Sequence, residues 1–359
     1  MIHDIAIVGA GIAGATLAAA IGSRASVLIL EAESAPGYHA TGRSAAFWSE
    51  TYGGPAIQPL TSASRAAFDA GGFLEPLGSL HIGRAADAAR IDAFLAAFDG
   101  KVALSRVDPR ATIPGLRDDW TLGVLEASCA YIDVAGLHAA AIAATRRGGG
   151  TIVTDAALQS AEQRDGAWTL ATAAGEYRAR ILVNAAGAWA DPVARLAGVR
   201  PLGITPYRRT VVQLRTDPVA PATLPHVADI GGGFYFKPEA GGRLWVSPHD
   251  ETETQACDAQ PEELDVAIAI DRFEHVVDWR VTQVERRWAG LRSFAPDRRP
   301  VYGFDRDLPG FFWCAGQGGF GIQTAPAAAM VAAALLLGRS PDDAIAGIDL
   351  AQYSPARFA

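Results

Sequence analysis

The stretch Ile5–Gly14 reads IAIVGAGIAG, and Val27–Glu31 follows as VLILE. Ile5–Val8 is an apolar run that reads as a buried strand, and the Ala-rich run after the glycines reads as a helix. Gly9, Gly11 and Gly14 fall at GxGxxG spacing between the two. Strand, glycine turn, helix and a second strand ending on an acid form the unit that binds a dinucleotide. Gly9 permits the tight turn, Gly11 lets backbone N–H groups approach a pyrophosphate, and Gly14 lets the helix sit close on the sheet. The helix start, with Ile12 and Ala13, then faces the phosphate charge. Glu31, about twenty residues beyond Gly9, is placed to accept hydrogen bonds from a ribose diol.

Working outward, Thr151–Thr154 and Arg180–Val183 read as strands, and Gly136–Gly148 as a helix closed by glycines. The second of these strands runs into Asn184–Trp189, whose small residues, Ala186 and Gly187 among them, suit close approach of backbone to a ligand or a neighbouring strand. Between Pro201 and Phe294 the texture changes to alternating runs such as RRTVVQL, GFYFKP and RLWVSP, which read as antiparallel strands with a helix at Pro261–Val277. The expected fold is α/β: a Rossmann-like nucleotide-binding domain with an inserted α+β substrate domain built on an antiparallel sheet. The first takes residues 1–78, 134–200 and 292–359, and the second residues 79–133 and 201–291.

With 359 residues, half of them hydrophobic, the chain can bury a substantial core. A net charge of −8 argues against a nucleic-acid partner, which needs a basic footprint. The three cysteines are scattered, with no CxxC pair or His/Cys cluster, so neither a disulfide framework nor a metal site is indicated. Met1–Asp4 lead straight into the first strand, so no secretory leader is expected. The apolar segment Ala325–Leu337 falls short of the ~20 residues that span a bilayer, and no transmembrane segment is expected. A cytoplasmic location follows as the expectation, with peripheral contact at the inner face of the cell membrane left open.

Two further stretches select the nucleotide. Gly316–Thr324, GQGGFGIQT, opens a second Ala-rich helix. Its positive end, with Gly318, Gly319, Gly321, Ile322 and Gln323, suits the pyrimidine edge of a flavin that becomes anionic on reduction. Gly37–Gly54, GYHATGRSAAFWSETYGG, begins with Thr41, Gly42, Arg43, Ser44, Ala45 and Ala46, which leave room for a ribityl chain and ring. The aromatics Phe47, Trp48 and Tyr52 follow as the wall of a cavity over that ring. FAD is the expected cofactor.

GAGIAG…LE, PGYHATGRSAAFW, LVNAAGAWAD, FYFKPEAG, WAGLRSFAPD and GFFWCAGQGGFGIQTAPA, in this order, resemble the D-amino-acid oxidase superfamily over the whole chain, most weakly at residues 82–128. Within it the chain is most similar to bacterial D-amino-acid dehydrogenases of the D-arginine dehydrogenase type. The resemblance implies oxidation of an amino acid at its Cα–N bond, with hydride passing to flavin N5 and the imino acid hydrolysing to a 2-oxo acid and ammonia. It also implies carboxylate binding by Arg209 and Arg292, support from the Tyr52 and Tyr235 hydroxyls, and Gln323 and Gly319 near flavin and substrate amine. No general base is assigned. Arg208 and Arg209 are adjacent on a strand and should face opposite sides, so only one can reach the ligand.

Against the D-arginine pattern, His81 stands where the resemblance places a glutamate for the cationic side chain, Phe47 replaces a histidine and His226 a methionine. Glu50 replaces an apolar residue and either adds an acidic group or faces solvent. The altered pocket favours a neutral, aromatic or acidic side chain. RSFAPDRRPVYG lacks the cysteine of covalent flavin enzymes, so FAD is expected to be noncovalent. Electrons would pass to a quinone, a dye or O2. The rival readings are a glycine- or sarcosine-type oxidase producing H2O2, a 2-hydroxy-acid dehydrogenase, and a flavoprotein without turnover.

Overall fold

A computed structural model describes residues 1–358. Strand β1 (His3–Val8) pairs in parallel with β2 (Val27–Leu30) on one side and with the strand Gly175–Asn184 on the other, Ile5 opposite both Val27 and Ile181. Thr151–Val153 extends the sheet beyond β2, and Phe311–Ala315 also runs parallel to Gly175–Asn184. Strands buried on both faces read as unbroken apolar runs, which is why this layer was visible in the sequence. Helix α1 (Ile12–Ile21) and the helix Ala325–Leu336 lie together on one face, closing a core of Ile5, Ile7, Leu17, Ile21, Ile29, Val183, Phe312 and Val331. Among the described residues no helix is long and apolar enough to cross a membrane.

The second layer is a ten-stranded sheet centred on two long antiparallel strands, Thr205–Asp217 and Arg280–Phe294. Its outer strands include Ser79–Arg84 and Trp120–Glu126, contributed from far earlier in the chain. The helix expected at Pro261–Val277 runs from Glu263 to Glu274 and packs on this sheet. Gln317–Gly318 pairs with Phe294 and Ser293, so the glycine-rich segment is stitched to the far end of the strand that carries Arg292. Residue 292 thus lies inside a strand of the second sheet, not at its edge.

Strand alternation sorts the side chains that matter. Arg208 faces the helix Glu263–Glu274, where it meets Glu262 and, at 3.0 Å, Asp265. Arg209 turns to the opposite face and lines the large cleft between the layers. The same period of two divides the short strand β3 (Phe47–Trp48): Phe47 enters the cleft and Trp48 does not. Trp48 is only 1% exposed, in a core with Ile12, Phe68, Ile132 and Leu137. Its expected place in the substrate pocket is corrected accordingly.

Candidate active site

A single cleft of about 450 Å³ runs from Gly9, Gly11 and Glu31 past Thr41–Ala46 to Arg209, Tyr235, Arg292 and Gln323. Gly9 adopts φ +102°, and a Cβ there would lie 2.6 Å from the Ala185 carbonyl oxygen, so glycine is required on both counts. The first turn of α1 carries no acidic residue and no side-chain cap from its N-cap, Gly11. The Ile12 N–H instead donates to Thr41 Oγ1 at 3.0 Å. A helix start of this kind presents partial positive charge to a phosphate. Glu31 accepts from the Ala10 N–H at 2.7 Å and the Glu33 N–H at 3.0 Å, one bond to each carboxylate oxygen. Each oxygen keeps a second acceptor site, so anchoring the glycine turn leaves it able to receive a ribose diol. The chain therefore has a groove, a helix terminus and an acid that fit the adenosine and pyrophosphate of FAD, and small residues at 44–46 and 318–319 that fit its ring.

Of the expected cofactor residues, Ile12, Ala13, Arg43, Ser44, Ala46, Ala186, Gly187, Trp189, Gly318, Gly319, Gly321 and Ile322 also line the cleft. Gly14 and Gly42 do not. A Cβ at Gly14 would run into the Gly9 carbonyl, and one at Gly42 would lie 2.9 Å from the Gly37 carbonyl oxygen, so both hold the wall together from behind. Arg43 sends its guanidinium away to Asp258 and the carbonyls of Ala259 and Ala289, tying the flavin-side loop to the second layer.

At the far end two guanidiniums converge. Arg209, 6% exposed, donates from Nε to the Asp250 carbonyl at 2.7 Å, and its Nη2 lies 3.3 Å from Glu251. Arg292 donates from Nη1 to Glu251 at 2.9 Å and from Nη2 to the Tyr52 hydroxyl at 2.8 Å. Arg209 Nη1 and Arg292 Nε are both buried without a protein acceptor. Buried unpaired donors on two cations form a receptor for an anion. Burial pushes the Arg209 pKa down, and the neighbouring Arg292 adds to this, which an incoming carboxylate would relieve. Phe47, Tyr52, Tyr235 and Val211 complete this end of the wall. Burial also raises the Tyr235 pKa, keeping its phenol protonated.

The aromatic loop is held by two groups. Gln323 donates to the Tyr52 carbonyl at 3.0 Å and to Thr61 Oγ1 at 2.9 Å, so both amide hydrogens are committed to the loop. Its side chain braces Tyr52 and also lines the cleft. The second group, which the sequence reading missed, is Glu126. This fully buried carboxylate accepts from Ser49 Oγ at 2.8 Å, Thr51 Oγ1 at 2.5 Å and the Glu50 N–H at 2.7 Å. Glu126→Ala would remove the acceptor shared by the Ser49 and Thr51 hydroxyls and the Glu50 N–H and is expected to destabilise the fold by about 3 kcal/mol. Urea unfolding of the wild type and variant measures this directly.

Three expected pocket residues stand one layer back. Glu50 is off the cleft wall, accepting from Ser62 Oγ at 2.5 Å and Ser128 Oγ at 3.0 Å. His81 packs on Phe94 and lies 3.3 Å from Thr51 Oγ1. His226 stacks behind Phe47 at 4.4 Å between ring centroids, its Nδ1 2.9 Å from Ser79 Oγ. Both histidines support the wall and do not face its contents.

Burial pushes the His81 pKa down to about 4 and that of His226 well below its ordinary value. His249 is also held at about 4, by burial first and then by Arg209. An unfolded histidine titrates at about 6.5, so between there and about 4 the unfolded chain binds more protons. The stability these groups contribute is present above pH ~6.5 and is lost as pH falls through that window. Glu126, raised by burial despite its hydrogen bonds, works in the opposite sense, favouring the fold as it protonates. His81→Gln is therefore expected to flatten the acid loss of thermal stability by up to about 3 kcal/mol, read from Tm against pH.

Glu251, Arg298 and Asp250 were also missed. They lie in or near polar runs, HDETE and PDRR, that read as solvated loops, and only the fold brings them to the arginines.

Over 128 residues the chain is 34% identical to mitochondrial dimethylglycine dehydrogenase of Mus musculus, a match covering 34% of this chain and 14% of that protein's length. It superposes on glycine oxidase from Geobacillus kaustophilus with a TM-score of 0.84 at 22% identity, covering 99% of this chain and 98% of the other. It superposes on L-proline dehydrogenase from P. horikoshii with a TM-score of 0.86 at 20% identity and the same coverage. These relatives lend no support to a particular kinship with D-arginine dehydrogenase. The family model of FAD dependent oxidoreductases, DAO, matches residues 4–335, from β1 to the end of the last long helix. The chain belongs to this family of FAD-dependent oxidoreductases.

Proposed function

We propose that the protein oxidises an α-amino acid of D configuration with a neutral side chain to the imino acid, which water converts to the 2-oxo acid and ammonia. The observation that carries this is the pair of buried, unpaired N–H groups, Arg209 Nη1 and Arg292 Nε, on the wall of the cofactor cleft. Bound along that cleft, FAD supplies the two-electron acceptor. Arg209 and Arg292 hold the substrate carboxylate, and the Tyr52 hydroxyl, already bound to Arg292, closes the same end. Fixing the carboxylate orients Cα, and positioning of this kind is what the reaction needs most. Among the described residues, no acid stands beside Phe47, Tyr235 and Val211 to meet a cationic side chain. Uncharged His226 behind Phe47 keeps that wall neutral. The D configuration rests on the sequence resemblance alone.

A glycine- or N-methylglycine-type amine is the second reading, favoured by the likeness to dimethylglycine dehydrogenase and by the crowding of Phe47 against Tyr52 at 5.1 Å between ring centroids. Anaerobic mixing of the holoenzyme with D- and L-amino acids, glycine, sarcosine and 2-hydroxy acids tests both. Fastest bleaching by neutral D-amino acids, with ammonia released, is expected. Bleaching by sarcosine alone selects the second reading, and bleaching by none overturns both. Peroxide yield in air then distinguishes an oxidase from a dehydrogenase. Acid precipitation is expected to release all of the FAD into the supernatant.

A further inference from the structure

Glu251 sits where three guanidiniums meet. Its Oε1 lies 2.9 Å from Arg292 Nη1, 3.3 Å from Arg209 Nη2 and 2.8 Å from Arg298 Nη2, which also reaches Oε2 at 2.9 Å. Burial acts to raise its pKa, but Arg292, Arg298 and Arg209 together outweigh this and hold the carboxyl below its usual range. The turn that carries it is fastened on both sides. His249 Nδ1 lies 2.6 Å from the Gly232 carbonyl oxygen, and Asp250 accepts from the Thr210 N–H at 2.8 Å and its hydroxyl at 3.0 Å. Glu251 is absent from the cleft wall, while both arginines are on it. It is an anion held by the arginines off the cleft wall.

The donors of the two arginines divide accordingly. Arg292 Nη1 and Arg209 Nη2 go to Glu251, Arg292 Nη2 to Tyr52, and Arg209 Nε to the Asp250 carbonyl. One buried nitrogen remains unpaired on each arginine. One carboxylate, with two oxygens, matches them. A second carboxylate nearby would meet a cluster whose positive charge Glu251 already offsets in part.

We propose that Glu251 is a specificity-determining positioning residue: it turns one edge of each guanidinium away from the cleft and restricts the clamp to substrates with a single carboxylate close to the reacting carbon. This rests on the reading that Arg209 and Arg292 bind the substrate carboxylate. A residue that only braces the clamp would on removal weaken ligands of one and two charges alike, whereas loss of a fixed negative charge beside the clamp favours the ligand of two charges.

The test is Glu251→Gln in the FAD-loaded protein, which keeps an acceptor oxygen for the arginines and removes the charge. Titration calorimetry with propionate and with malonate gives two dissociation constants and their ratio. The ratio is expected to shift toward malonate by about tenfold, the order of effect of one unit charge at this range in a partly buried site. Arg298→Gln, which removes a cation from the same cluster, is expected to shift the ratio the other way. It serves as the deciding measurement where Glu251→Gln does not retain FAD. A ratio within twofold of wild type in the folded variant overturns the proposal and leaves the carboxylate clamp standing. Failure of the wild-type holoenzyme to bind either acid overturns the clamp and this proposal together.

Discussion

Arg292→Ala is expected to lower kcat/KM for the amino-acid substrate by about a thousandfold, equivalent to about 4 kcal/mol of lost transition-state stabilisation. The substitution removes a cation from a site where Arg292 is among the few groups able to meet a carboxylate, and it takes away the guanidinium that bridges Tyr52 and Glu251, leaving Glu251 to Arg209 and Arg298. Arg292→Lys keeps the charge but loses the planar fork that reaches Glu251 and Tyr52 at once, and should recover about one to two decades of the loss. FAD content and unfolding temperature report folding separately, and rapid-mixing reduction of the flavin separates binding from chemistry. An Arg292→Ala enzyme within threefold of wild type in kcat/KM would remove this guanidinium from substrate binding.

The second large effect is expected from a single methyl group. A Cβ built on Gly319 would fall well inside contact distance of the Tyr52 hydroxyl and of Arg292 Nε and Nη2. In Gly319→Ala one side must yield, and the backbone there continues from a segment paired to the strand of Arg292. The yielding groups are then Tyr52 and Arg292, the two that close the clamp. Displacement of about 1 Å at a reacting centre costs on the order of a hundredfold in rate. Gly319→Ala is expected to keep FAD and lose about two decades of kcat/KM, and Tyr52→Phe in the same background should restore part of it by removing one clashing atom. A variant as active as wild type would mean that the clamp does not close at this point.

These two residues illustrate different kinds of legibility. Arg292 and Arg209 were visible because the motifs around them, WAGLRSF and RRTVVQL, match the resemblance, while strand alternation said only that one of Arg208 and Arg209 can reach the ligand. The importance of Gly319 as an absence of bulk could be read from the glycine-rich run, but not which side chains it makes room for. Trp48 shows where the reading failed: a run of aromatics looked like one wall, yet β3 is a strand and sends alternate side chains to opposite sides. Glu50, His81 and His226 failed for a related reason. The resemblance placed them near the pocket, but hydrogen bonds to Ser62, Ser128 and Ser79 and stacking on Phe94 and Phe47 hold them one layer behind it.

By itself the sequence determined the nucleotide half: strand, glycine turn, helix and acid are contiguous, and their physics is local hydrogen bonding and sterics. It also determined that the second half would be an antiparallel sheet, since period-two alternation is a local property. Only the tertiary structure decided the anion site. Tyr52, Arg209, Glu251 and the Arg292–Arg298 stretch lie far apart along the chain, and charge complementarity acts over ångströms in space, not over positions in sequence. Glu126 belongs to the same class: a carboxylate in an alternating strand has no meaning until Ser49, Glu50 and Thr51 fold over it.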